Sequence, residues 1–283
     1  MKQLARQARR IVLLALLGGL LAATMVRLSP GFGTDEQDLS LALSDESRKA
    51  LHAQHIADAN IARFYVHFLG GMLKGDFGFS RALNRPISEL LKERLPETLE
   101  SVGYGMGGGI LLGIGLAIAT TFWRARVGDI LGDGSSGLLL SLPAAVLALL
   151  FLWAGANGKW AIALLVFPHV YRYAKNLLVE SSARPHVLAA RARGISRTRI
   201  LLTHIVWPAA PQLLAVAGIS ASLAFGASIP VEAICDIPGI GQLVWKAALS
   251  RDLPLLVTIT ILVSLMTMTV NAAADLFAHD ADS

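Results

Sequence analysis

The residues best suited to intermolecular recognition are four arginines in one segment, 186–208, that lies between two apolar runs. Arg191, Arg193, Arg197 and Arg199 fall within this segment, and no acidic residue does. An uncompensated group of cations attracts acidic surfaces. The type and spacing of these residues therefore predict a docking surface for another protein.

A glycine corner is predicted to shape this segment. The alanines before Gly194 favour a helix, and Gly194 suits the position after a helix end, where a left-handed turn costs a residue without Cβ little. Ser196 is placed to cap a second short helix through His204, and Pro208 predicts a break or kink. We therefore expect two short helices joined at Gly194, on the inner side of a membrane.

Metal and catalytic chemistry find little support in the remaining residues. No His-Glu-x-x-His or paired-carboxylate spacing involves the seven histidines. His52 and His55 form an i, i+3 pair on an expected outer helix, and a metal site there would need further ligands, for which Asp45 and Glu46 are possible donors. The single cysteine, Cys235, excludes an intrachain disulfide and a multi-cysteine site. We therefore predict no metal and no cofactor.

Acidic residues are missing from three largely apolar stretches, 101–128, 134–178 and 253–274. Proton- and sodium-coupled transporters usually carry intramembrane acids as relays or ion ligands. Their absence argues against self-powered transport and predicts that energy arrives from a partner, with the basic segment as the receiving surface. An ATP-independent polytopic protein, either a secondary transporter or a membrane enzyme, stays the alternative.

Two other interpretations of the arginines compete with docking. A helix–glycine–helix with four arginines imitates a helix-turn-helix, but its attachment to apolar runs on both sides argues against nucleic-acid binding. Retention of positive charge on the inner side of a membrane explains the number of arginines. It does not explain the Ala/Arg alternation that ends at Gly194, or the spacing onward to His204 and Pro208.

The run Ala190-Arg191-Ala192-Arg193-Gly194, followed by His204 and Pro208, resembles the cytoplasmic "EAA" loop of ABC importer permeases. The resemblance is to the variant found in the dipeptide, oligopeptide and nickel branch, which like this chain lacks the motif's glutamate. In that family the loop forms a coupling helix seated in a cleft of the ATP-hydrolysing subunit. By this resemblance, the residues assigned to coupling are Leu188, Ala189, Ala190, Arg191, Ala192, Arg193, Gly194, Ile195, Ser196, Arg197, His204 and Pro208.

Further stretches resemble the family's sequence markers on both sides of this loop. Pro30-Gly31, 75–80 and 93–100 resemble those between the first two spans, and 237–243 with 251–254 resembles the stretch before the last span. In the family the latter stretch contains a short helix that dips toward the pore, here predicted at 242–250. The residues so assigned to an external gate are Pro238, Gly239, Gly241, Leu243, Arg251 and Asp252. Asn271 and Asp275 match polar positions at the inner end of the last span.

The resemblance implies a type I ABC importer permease, which is a transport subunit and not an enzyme. Its solute would be a peptide, nickel or a related small molecule. The implied partners are a second permease subunit, in a heterodimer, two cytoplasmic ATP-binding subunits that hydrolyse ATP, an extracytoplasmic solute-binding protein and the lipid bilayer.

Composition requires an integral membrane protein. Hydrophobic residues make up 54% of the 283 residues and charged residues only 16%, with a mean hydropathy of +0.57. Soluble domains average about 45–50% apolar and about 25% charged residues. The apolar residues are grouped into runs, so we predict an all-α polytopic fold.

Six transmembrane helices are predicted, at 11–26, 98–123, 135–154, 160–171, 208–228 and 255–274. The first run follows a basic N-terminus and suits either a cleavable signal peptide or a signal anchor, and we favour an uncleaved span. The organisation we expect is an N-terminal region, 1–28, an external polar segment, 29–97, and a permease core, 98–283. The core includes the cytoplasmic coupling loop, 172–207.

Charge asymmetry sets the predicted orientation. The stretch 172–204 carries seven Lys and Arg residues against Glu180 alone, whereas 29–97 carries eight against ten acids. Basic loops stay on the cytoplasmic side, so both termini are expected inside the bacterial inner membrane. An amphipathic helix is expected at 44–55 in the external segment.

Overall fold

The computed structural model describes residues 2–28, 61–123 and 126–282, and most of this chain is helical. The expected helix at 44–55 and the His52/His55 pair lie outside these residues. The elements are α1 Lys2–Leu28, α2 Ile61–Met72, β1 Phe79–Ser80, β2 Arg85–Pro86, α3 Ile87–Trp123, α4 Arg126–Ser141, α5 Ala144–Trp153, α6 Lys159–Ser182, α7 Pro185–Ala192, α8 Arg197–Arg199, a π-helical segment Ile200–Val206, α9 Trp207–Ile234, α10 Ile240–Leu249 and α11 Leu253–Asp282.

Helices occur at all six positions where spans are predicted. Four helical stretches are long and apolar enough to cross a membrane, and a bent pair of helices supplies a fifth candidate. The four are Arg9–Leu28, Ile87–Phe122, Arg197–Ile234 and Leu253–Ala272. The all-α polytopic membrane fold is thereby confirmed, but length and composition alone do not reach a count of six in the part of the chain described.

The third predicted span is not one continuous helix. Its two halves, Ile130–Ser141 and Ala144–Trp153, are bent by 101° at a break next to Pro143. Pro143 has no amide hydrogen, and its ring disfavours helical geometry at the preceding residue. The span predicted at 135–154 therefore corresponds to a bent pair of helices.

The fourth predicted span lies in α6, which begins near Trp160 as expected but continues past Tyr171 to Ser182. The first part of the expected coupling loop at 172–207 is therefore helix. Lys175 and Glu180 lie in this extension, and α6 is not among the stretches apolar enough to qualify as a span.

The chain divides into two compact units. The first comprises Met1–Leu95 and Leu243–Leu265, and the second Pro96–Gln242 and Met266–Ser283. In the first unit, α1, α2 and the start of α11 share an apolar cluster that includes Ala23, Phe68 and Val257. In the second unit, α3, α5, α6 and α9 share a larger cluster that includes Val102, Ala148, Val166 and Val231.

Glycines in α3 allow close contact with α6, as the sequence predicts. A Cβ placed at Gly109 would lie 2.7 Å from Cβ of Val166, and one at Gly113 would lie 2.7 Å from Cβ of Val170. Small residues at such positions let membrane helices approach each other. The α3–α6 contact is therefore a packing interface of the second unit.

Candidate functional site

The basic segment forms a short helix, α7, that ends in a glycine corner. The Gly194 amide donates to the Arg191 carbonyl at 3.0 Å, and the Ile195 amide donates to the Ala190 carbonyl at 3.3 Å. With Gly194 at φ +74°, these two bonds form a Schellman motif. Nothing lies within 4 Å of the position of a Cβ at Gly194, so the need for glycine there is conformational. The predicted left-handed conformation of Gly194 after the helix end is confirmed.

One face of α7 is fixed to the rest of the second unit. Val187 and Ala190 are buried one turn apart and pack with Leu178, Ile200 and Ile205. The other face is exposed, and Leu188 on that face keeps 54% of its accessible surface. Helix α7 therefore has an anchored inner face and an exposed outer face.

The four arginines are exposed and carry no partner within the described residues. Arg191, Arg193, Arg197 and Arg199 make no side-chain hydrogen bond or ion pair with any residue whose placement is described. Guanidinium groups suit paired hydrogen bonds to carboxylates. The exposed face of this corner can therefore bind an acidic surface.

A cavity of about 800 Å³ lies beside the corner, and Arg191 and Arg197 are among the residues that line it. An ion pair also lines it, with Nζ of Lys175 2.9 Å from both carboxylate oxygens of Asp133. Among these charged side chains the cations outnumber the single acid, so the cavity extends the basic surface inward.

Pro208 lies inside a continuous helical stretch, so the break that was one of its two predicted effects does not occur. In an α-helix its amide would bond to the His204 carbonyl, but proline has no amide hydrogen. Nε2 of His186 bonds to that carbonyl instead, at 3.0 Å. The preceding turns are π-helical, at Ile200–Val206, and the helix runs on to Ile234.

Ser196 occupies the predicted N-cap position with extended backbone, at φ −61° and ψ 146°, but its side chain makes no capping bond. The helix that it begins is not separate from the fifth span. It passes through Arg199 and His204 into α9 as one stretch, Arg197–Ile234. The basic segment is therefore one short helix, a glycine corner and the first turns of a span.

At its far end, α9 holds a tight turn through a buried carboxylate. Glu232 has no exposed surface, and its Oε2 accepts from the Gly241 amide at 2.7 Å and from the Thr98 hydroxyl at 3.0 Å. Oγ1 of Thr98 in turn accepts from the Ile240 amide at 2.6 Å. We name these contacts the Glu232 clasp.

The clasp explains two of the predicted gate glycines. A Cβ at Gly239 would overlap Oε2 of Glu232 and lie 2.6 Å from Oγ1 of Thr98, and one at Gly241 would lie 2.6 Å from Cα of Ile229. Pro238 and Gly239 form the predicted turn between α9 and α10.

Glu232 is absent from the residues predicted from sequence because the fifth span is expected there to end at residue 228. Glu232 was thereby placed in an external loop, where an acid needs no explanation. The helix continues to Ile234. A single acid in an otherwise apolar helix was the available signal.

The other gate residues lie in the first unit. Leu243 is buried in α10. Asp252 begins α11, where its carboxylate accepts from the Leu255 amide at 3.2 Å, from the Ser80 hydroxyl at 2.6 Å and from the Ala82 amide at 3.1 Å. Arg251 precedes it with φ +53°. These residues thus connect α11 to the β1–β2 hairpin.

At the predicted inner end of the last span, Oδ1 of Asn271 accepts from the Ser222 hydroxyl at 2.6 Å and so links α11 to α9. Asp275 lies in α11, and its side chain is outside the described part of the structure.

Residues 109–280 match the family model described as "Binding-protein-dependent transport system inner membrane component". The chain belongs to this family. It is therefore a membrane transport subunit of an ABC importer and not an enzyme, and the resemblance stated from its sequence is confirmed. Its placement in the inner membrane follows from the family.

Several permeases resemble this one along most of their length. It is 28% identical to the glutathione transport system permease protein GsiC of Salmonella typhimurium over 229 residues, which cover 75% of each chain. It is 26% identical to a putative peptide permease protein of Brucella ovis over 295 aligned positions, which cover 92% of each chain. GsiC of Escherichia coli strain K12 is 25% identical over 75% of each chain.

Proposed function

We propose that this permease forms part of the path for peptide-type solutes in an ATP-driven importer, and that α7 with its glycine corner receives the movement of an ATPase subunit. The substrate class is supported by relatives named for glutathione and for peptides. No such support favours nickel or the ATP-independent alternative.

The observation that carries the coupling role is the combination of a fixed inner face and an unpaired basic outer face in one short helix. Val187 and Ala190 anchor α7, while Arg191 and Arg193 stay exposed beside it. An acidic cleft on an ATPase subunit would pair with those guanidinium groups. A displacement of α7 by that subunit would then move the packed core beneath it.

One helix is placed to carry that displacement away from the corner. Arg197–Ile234 is continuous over 38 residues, which corresponds to a length of about 57 Å at 1.5 Å per residue. It starts in the coupling corner and ends at the Glu232 clasp. ATP binding would therefore move the glycine corner and the Glu232 clasp together, because the same helical stretch connects them.

The assembly and orientation follow from the same proposal. The coupling corner faces the cytoplasm with both termini, and the turn at Pro238 faces outward. Two ATP-binding subunits dock inside and a solute-binding protein docks outside. A second permease subunit pairs with this one, and a heterodimer is proposed.

A charge-reversal experiment tests the coupling surface. The double variant Arg193→Glu/Arg197→Glu is co-expressed with its ATPase subunits and reconstituted in proteoliposomes. ATP-driven uptake is measured with glutathione, trialanine and nickel ion as probes. We expect loss of ATPase co-purification and of peptide uptake, with normal insertion of the permease. Lys74→Glu is the control, since Lys74 is exposed and distant in sequence. Normal uptake by the double variant would defeat the assignment, and uptake of nickel alone would defeat the substrate class.

A further inference from the structure

The Glu232 clasp joins three helices. Two of them, α9 and α10, follow each other in the chain, and the third, α3, is distant from them in sequence. Glu232 lies in the last turn of α9, Ile240 and Gly241 open α10, and Thr98 lies in α3. The Thr98 hydroxyl is used twice, because it donates to Glu232 and accepts from the Ile240 amide. Removing this one hydroxyl therefore breaks two of the three bonds.

Burial makes these bonds necessary. A carboxyl group away from water is costly unless it is hydrogen-bonded. Within the described residues, Oε2 of Glu232 has two donors and Oε1 has none. The Glu232 carboxyl is therefore held where α3 supplies one donor, the Thr98 hydroxyl, and the start of α10 supplies the other, the Gly241 amide.

The turn also has bonds of its own, which hold it to α9. The Ile237 amide donates to the Glu232 carbonyl at 3.0 Å, and the Gly239 amide donates to the Ile237 carbonyl at 2.7 Å. These bonds do not reach α3. The clasp is thus the hydrogen-bonded link, among the contacts described, between the turn and the start of the second span.

We propose that Glu232 is a positioning residue for transport. Through Thr98 and the amides of Ile240 and Gly241, it fixes the turn after α9 and transfers the movement of α9 to that turn. This inference rests on the proposed coupling of α9 to an ATPase subunit. The coupling proposal concerns the start of the helical stretch, and the present one concerns its other end. There Glu232 and Thr98 hold the turn at Pro238 and Gly239, and neither is assigned a contact with solute.

Cys235 is a reporter already present in the turn. It is the chain's single cysteine, and its half-buried Sγ lies 3.5 Å from the Ala148 carbonyl. A Cβ at Gly158 would lie 2.7 Å from that sulfur, so the thiol is closely packed while the turn is in place. Loosening the turn should expose it.

The test uses Thr98→Val, which keeps the shape and removes the hydroxyl, with Thr98→Ser as the matched control that keeps the hydroxyl. Both are made in the full complex with ATPase subunits and binding protein. The measurements are maleimide labelling of the Cys235 peptide, followed by mass spectrometry, and the ratio of glutathione or trialanine uptake to ATP hydrolysed. Loss of two of the three clasp hydrogen bonds predicts about tenfold less uptake per ATP and faster labelling in Thr98→Val. Thr98→Ser should stay within about twofold of the unaltered protein.

Co-purification of the ATPase subunits separates the two proposals. If the unaltered permease does not assemble with them, the proposed function fails. If Thr98→Val assembles normally and keeps both the uptake ratio and the labelling rate, only the role of Glu232 is overturned. A loss of uptake that Thr98→Ser shares equally would also overturn it, because the hydroxyl would then not be the group that matters.

Discussion

Nε2 of His186 lies 3.0 Å from the backbone carbonyl of His204, the acceptor that Pro208 cannot serve. A carbonyl oxygen only accepts, so this ring nitrogen carries the proton. The bond ties the first turn of α7 to the π-helical segment that opens the fifth span. It supplies a donor to the carbonyl that Pro208 leaves without one and holds the glycine corner from its other side.

His186→Ala should loosen the corner, because it leaves the His204 carbonyl without that donor. A lost hydrogen bond of this kind costs about 0.5–1.5 kcal/mol, so we expect a modest drop in melting temperature and several-fold less uptake per ATP. Pro208→Ala in the same chain should restore most of this, since it supplies a backbone amide at position 208. Strictly additive effects of the two changes would show that His186 and Pro208 are not coupled.

Gly194→Val should abolish ATP-driven uptake while membrane insertion stays normal. The residue has φ +74°, which a β-branched side chain adopts only at a cost above the roughly 1–2 kcal/mol for L residues in the left-handed region. Gly194→Asn should keep substantial uptake, since asparagine tolerates this conformation.

The matched control is Gly134→Val, because Gly134 also has open space around it but does not have positive φ. Uptake is measured in proteoliposomes and insertion by membrane fractionation. Equal uptake by the Gly194 variants with valine and asparagine would contradict a conformational role for this corner.

Gly109→Val should reduce assembly of the folded permease, because its Cβ would meet Val166 at 2.7 Å. Overpacking typically costs about 1–3 kcal/mol. Gly115→Val, in the same helix, should be tolerated because nothing lies within 4 Å of its Cβ position. The yield of monodisperse protein in detergent compares the two, and similar losses for both would argue against the α3–α6 contact.

Asp252→Ala should destabilise the start of α11 and the hairpin together. The carboxylate caps the Leu255 amide and binds the Ser80 hydroxyl, and loss of an N-cap alone costs about 0.5–2 kcal/mol. Ser80→Ala should cost less, and the double variant should be less than additive. Thermal unfolding in detergent measures all three, and full additivity would mean that Ser80 and Asp252 act separately.

The two prolines show where sequence reasoning succeeds and where it stops. Pro143 and Pro208 carry the same local restriction, yet the first lies at a bend of 101° and the second inside a continuous helix. His186, which is distant in sequence, supplies a donor to the carbonyl that Pro208 leaves without one, and local rules cannot anticipate that bond. Local propensity did predict Gly194, whose conformation depends on its own backbone.

Glu232 shows a second limit. The apolar runs located the fifth span, but a hydropathy pattern ends a span where the first acid appears. Here the acid lies within the helix and is buried, and its carboxylate accepts hydrogen bonds from Thr98 and Gly241. The family motifs identified the turn residues Pro238 and Gly239 without their partner. Sequence therefore predicted the positions on both sides of the clasp but not the contact that unites them.

The stretch Arg197–Ile234 is helical from end to end, but it is not a uniform rod. Its first turns are π-helical at Ile200–Val206, and Pro211 and Pro230 lie inside it. Each proline removes one backbone hydrogen bond and is a place where a helix can bend. A force applied at Arg197 would therefore reach Ile234 through a helix that can flex at defined points.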